Sequence, residues 1–132
     1  MNKQRVNDWI PSAAEALEVA GIAQNGKVDS KFRGQISSFG AAVTMGSLKS
    51  AAAFFAKQGG AAVPRERLLT AMYYVITGEE KKPNEVFLKI CNHDDHYMRE
   101  QFVDAAIALK LAMNLYELVE EGKKNEKSQS AV

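Results

Sequence analysis

The chain has 132 residues, 46% of them hydrophobic and 25% charged, with a formal net charge of +1 and a single cysteine. That size and balance fit one domain around one core, and they exclude an internal disulfide, a disordered polyelectrolyte and, with no apolar run near the ~18 residues a bilayer requires, a membrane-spanning helix. Met1-Asn2-Lys3-Gln4-Arg5 opens a mixed polar helix rather than a signal-peptide apolar core, so a soluble, cytoplasmic location is expected.

The periodicity is helical throughout and predicts a compact all-α bundle of about five to six helices, residues 1–122, followed by a polar tail, 123–132, expected to be disordered. The first helix is predicted from about Lys3 to Gln24, with Trp9, Ala13, Ala16, Leu17 and Ala20 inward and a kink or restart at Pro11. Asn25-Gly26 would close it as a left-handed cap. Asp29 or Ser30 then caps a second helix ending near Met45. On it Phe32, Ile36, Phe39 and Val43 recur at steps of four, three and four, while Gly34, Ser37, Ser38, Gly40, Ala41 and Ala42 fill the rest. Bulky residues on one side and small ones elsewhere let another backbone come unusually close.

Gly46-Ser47 breaks that helix, and Ser47 caps a short third one, Leu48 to Lys57. Gln58 to Ala62 is a flexible loop. Pro64 stands first in the next helix, whose apolar stripe is Leu68, Leu69, Met72, Tyr73 and Ile76. A charged turn from Thr77 to Pro83 leads to a short helix, Asn84 to Cys91, with Val86, Phe87 and Ile90 inward. The last helix is predicted to start near Asp94-Asp95 and to end near Glu121-Gly122, about 28 residues and roughly 40 Å. Two apolar seams run along it, Met98/Phe102/Ala105/Leu109/Met113 and Val103/Ile107/Leu111/Leu118, as in a long, buried central helix. No β-strand is predicted.

Charge is unevenly placed. From Lys27 to Arg67 seven bases face two acids; residues 1–26 carry two bases and three acids, and from Leu68 onward eight bases face eleven acids. A basic first half and an acidic second half suit a phosphate-binding surface or head-to-tail stacking of copies, and also ordinary solvated charge. Lys31, Arg33, Lys49, Lys57, Arg65 and Arg67 are the candidate RNA-binding residues, with Ser37 and Ser47 as neutral donors. Gly34, Ser37 and Ala41 are the candidate subunit contacts. No catalytic residue, cofactor or metal site is expected. Cys91-Asn92-His93-Asp94-Asp95-His96 gathers ligand-type residues, but it straddles a helix junction and has no second ligand pair elsewhere. Ser37 and Ser38 lie within a helix rather than on a nucleophile elbow. Gly59-Gly60 lacks the lysine and hydroxyl of a phosphate loop.

The run Phe32 to Val43, with Gly46, Leu48, Ala52, Phe54 and Phe55, together with Trp9-Ile10-Pro11 and the Ile22-Ala23 to Lys27 stretch, resembles the small subunit of the Cmr complex, the type III-B CRISPR effector. The likeness covers the first half of the chain best and the second half only in its helical character. It departs at Gly46-Ser47-Leu48-Lys49, where a more apolar start to the third helix is expected. The resemblance implies an all-α, non-catalytic subunit that stacks in several copies as a minor filament. That filament would contact the other Cmr subunits and the crRNA–target RNA duplex, mainly its target strand, with Arg33 as the contact lying inside the motif. Two rivals remain: a helical protein–protein adaptor without a nucleic-acid role, and a small metal-dependent hydrolase centred on His93 and His96.

Overall fold

The computed structural model describes residues 1–93 and 95–120. Among them are six α-helices: α1 (Lys3–Val19), α2 (Lys31–Met45), α3 (Leu48–Ala56), α4 (Glu66–Thr77), α5 (Pro83–Asn92) and α6 (His96–Ala112). The fold is the expected all-α bundle. No described helix is long and apolar enough to cross a membrane.

The centre is made by α1, α4 and α6, each packed on the other two, with α2 and α3 on one side and α5 closing against α3 and α4. Phe39, Phe55, Phe102, Leu17, Leu68, Leu69 and Leu109 are fully buried there. Phe39 meets Phe55 edge-on at 5.2 Å, a favoured aromatic geometry that fixes α3 against α2. One buried charge crosses this core. Asp104, 1% exposed, accepts from Arg5 Nη2 at 2.7 Å and Nε at 3.0 Å, and the same guanidinium lies 5.3 Å from the Trp9 ring centroid.

α1 differs from its predicted form in two ways. Pro11 sits inside an unbroken helix. It is exposed, as is Asn7, whose carbonyl loses its donor, so water is on hand for the orphaned group. The helix also ends earlier, at Val19. Gly21, at φ 74°, makes the left-handed turn, with its N–H on the Glu18 carbonyl and that of Ile22 on the Leu17 carbonyl. Asn25 and Gly26, at φ 54° and 75°, are instead the two-residue turn of a hairpin between β1 (Ala23–Gln24) and β2 (Lys27–Asp29).

The C-terminal end corrects the expectation further. α6 runs 17 residues rather than about 28; a 3-10 turn, Met113–Leu115, follows, and then β3 (Glu117–Val119) pairs parallel with β2. Three very short strands thus form a sheet where none was predicted, in the order β1-β2-β3. The Tyr116 hydroxyl donates to the Ala14 carbonyl at 3.0 Å and meets Glu18 Oε1 at 3.1 Å, drawing the chain off the helical path onto α1. Burial and then the Glu18 carboxylate hold that hydroxyl above the ordinary tyrosine pKa of 10.0. The predicted end at Glu121-Gly122 and the tail lie outside the described residues.

Candidate functional site

The second helix carries its four bulky residues inward: Phe32, Ile36, Phe39 and Val43 are all buried. Its N-terminus is held by Asp29, whose Oδ1 accepts from the Lys31 N–H at 2.9 Å. Opposite the core, Lys31, Gly34, Ser38, Ala41 and Met45 are all exposed and recur at steps of three and four, so they line one outer crest. Ser38 turns its hydroxyl back onto the Gly34 carbonyl, and Ser37 and Thr44 do the same to Arg33 and Gly40. The crest is therefore low and nearly featureless until Met45, 89% exposed, at its end.

Gly34 and Gly40 are informative. A Cβ built on either meets nothing within 4 Å, and neither has a positive φ. Glycine in a helix interior costs about 0.5–1 kcal/mol relative to alanine. Neither this backbone nor this packing requires that cost. Gly46 is different, since a Cβ there would stand 3.1 Å from the Ala42 carbonyl. Beyond it Ser47 caps α3 through a capping box with Ser50, so a polar pair, not an apolar contact, starts that helix.

The flank of the crest opens into a groove of about 490 Å³ between α2 and α6. Ser37, Gly40 and Ala41 form one wall; Val103, Ile107 and Leu111 form the other. Three residues of the second predicted seam thus line this groove at the edge of the core: Val103 and Ile107 are half-buried and pack against the core, Leu111 is 42% exposed, and Leu118 falls in β3 instead. Arg33 and Lys110 stand at one end, with no acidic residue in the lining, and Lys110 Nζ donates to Ser37 Oγ at 2.7 Å. Lys110 was not a candidate from sequence. It is one of eight bases in the acidic half, brought to the Arg33 end of the groove by the packing of α6 on α2.

The arginines sort by what they hold. Arg5 is bound to Asp104, Arg67 Nη1 donates to the Gly21 carbonyl at 2.7 Å, and Arg99 Nη2 donates to the Val43 carbonyl at 3.1 Å. Arg33 and Arg65 make no side-chain hydrogen bond or ion pair to any described residue. Arg65 instead lies over Phe54, its guanidinium 4.2 Å from the ring centroid. Lys31, Lys49 and Lys57 are exposed. Of the six candidate RNA contacts, then, Arg67 is engaged by the fold, and five keep their charge at the surface around α2 and α3. Of the candidate subunit contacts, Gly34 lies on the crest, Ala41 joins crest and groove wall, and Ser37 lines the groove.

Comparison with family models, curated proteins and solved structures finds no match.

The cysteine–histidine run resolves into a helix junction. Asp95 caps α6, its Oδ1 accepting from the Met98 N–H at 2.7 Å. His96 Nε2 lies 3.2 Å from Glu100 one turn on, Cys91 is half-buried, and Asp94 lies outside the described residues. Among the described residues no three His, Cys, Asp or Glu side chains are grouped to hold a metal ion.

Proposed function

We propose that this chain is a non-catalytic small subunit of a type III-B CRISPR effector, stacking in several copies and holding the target RNA backbone in the guide–target groove. One observation carries the reading: Arg33, free of any side-chain partner among the described residues, stands beside a helix crest whose Gly34, with Gly40 on its flank, leaves open the space a Cβ would fill. Glycines that the fold does not use are suited to the close approach of another backbone. A free guanidinium at the same place is suited to phosphate. The Phe32–Val43 motif supplies the family resemblance, and its fold expectation agrees with the helical bundle. In this reading Lys31, Arg33, Lys49, Lys57 and Arg65 give electrostatic, salt-dependent affinity, with sequence choice left to guide pairing. A single copy binds RNA weakly, and avidity along the filament supplies the rest.

The adaptor reading draws on a separate observation, the apolar groove of Val103, Ile107 and Leu111, which suits a protein helix better than RNA. The two readings divide on charge reversal. Arg33→Glu with Lys49→Glu and Lys57→Glu should abolish target-RNA binding by the reconstituted complex while leaving its assembly intact. Failed assembly with RNA affinity unchanged in whatever complex forms would instead favour the adaptor.

A further inference from the structure

Phe54 is the one phenylalanine among the described residues that the fold leaves open, 56% exposed while its neighbour Phe55 is buried. Phe55 meets it edge-on, with ring centroids 6.0 Å apart and planes at 63°. Arg65 lies against it at 4.2 Å. The Arg65 Nε–H is buried without an acceptor, and the ring offers its guanidinium cation–π attraction but no oxygen. Arg5 by contrast has a carboxylate, and Arg67 and Arg99 have backbone carbonyls. Lys57, three residues after Phe54, is the exposed C-cap of α3 in extended backbone.

An open ring, a planar cation lying against it and an exposed ammonium group three residues on match a ligand that has an aromatic face and an anionic group beside it. We propose that Phe54 and Arg65 form a stacking platform for one unpaired base of a single-stranded RNA, with Lys57 on an adjacent phosphate. The proposal rests on the RNA reading above and adds to it a contact with a base, where that reading needs only the backbone. Stacking tolerates any base, since every base has a π-face, so the platform adds affinity without sequence choice.

The test compares binding of the full-length chain to a uridine oligonucleotide and to an abasic ribose–phosphate strand of equal length, by fluorescence anisotropy at two salt concentrations. The wild type should bind the base-bearing strand about tenfold tighter. Phe54→Leu should erase that preference without changing abasic binding, Phe54→Trp should keep it, and Lys57→Gln should weaken both strands alike and flatten the salt dependence. Equal binding of both strands by the wild type, or an equal loss on both in Phe54→Leu, overturns the platform and leaves the phosphate reading standing. Binding to neither strand, even at the lower salt, overturns both.

Discussion

Arg5 and Arg65 are the same residue in similar company, each beside an exposed or half-exposed aromatic ring, and they differ in one respect. Arg5 has a buried carboxylate, Asp104, to answer its charge; Arg65 has none among the described residues. The first lies between α1 and α6 at the heart of the bundle, the second beyond α3 at its edge. Side chains whose partners lie inside the chain hold the fold together. Those whose partners are missing are free for something outside it. The same division runs through α2, where Phe39 is fully buried and Gly34, five residues away, is exposed with open space where a Cβ would stand.

This contrast breaks most readily at Arg5. Arg5→Ala leaves Asp104 buried and uncompensated, and should lower the unfolding free energy in urea by about 3–5 kcal/mol. Arg65→Ala should cost no more than about 1 kcal/mol, the ordinary range of a part-exposed cation–π contact. Comparable losses in the two variants would dissolve the distinction. On α2, Phe39→Ala should cost about 3–5 kcal/mol by opening a cavity against Phe55.

Gly34→Ala should act in the opposite direction, raising stability by about 0.5–1 kcal/mol because the helix gains a better former at no steric cost. The same variant should weaken assembly of the proposed complex, by size-exclusion chromatography against wild type. A variant both destabilised and fully competent in assembly would remove the argument from the unused glycines.

The smallest effect is on pH dependence. Folding raises the Tyr116 pKa, so the protonated phenol is favoured in the native state. Its contribution is fully present below the ordinary value of 10.0 and is lost as pH rises through the raised one. Tyr116→Phe should therefore flatten the alkaline decline in thermal midpoint, at a cost of about 1 kcal/mol near neutral pH from the lost hydrogen bonds.

Much of this was legible in the sequence wherever the signal is local. The bulky face of α2, the Ser47 cap, the stripe of α4 and the Asp95 start of α6 all follow from spacing within one element. What escaped was set by distant partners. Leu111 and Leu118 continue a helical spacing, yet Tyr116 bonds across 102 residues to Ala14 and β3 pairs with β2, so the helix stops. Strands of two and three residues are too short to show an alternating pattern, and Asn25-Gly26 was read as a cap because the flanking strands were not visible. At the candidate site, composition picked out the basic residues but not their availability. That Arg67 is held by Gly21, that Arg33 has no side-chain partner among the described residues, that Arg65 lies over Phe54, and that Lys110 lines the same groove as Arg33 all depend on packing between helices.

The most direct test of the central claim is the affinity of a reconstituted type III-B complex for its target RNA when this chain, as the proposed small subunit, carries Arg33→Glu. The account predicts an unchanged unfolding midpoint, an intact assembly and a loss of RNA affinity of about tenfold or more that shrinks as salt is raised. Undiminished RNA binding in the intact assembly would contradict it.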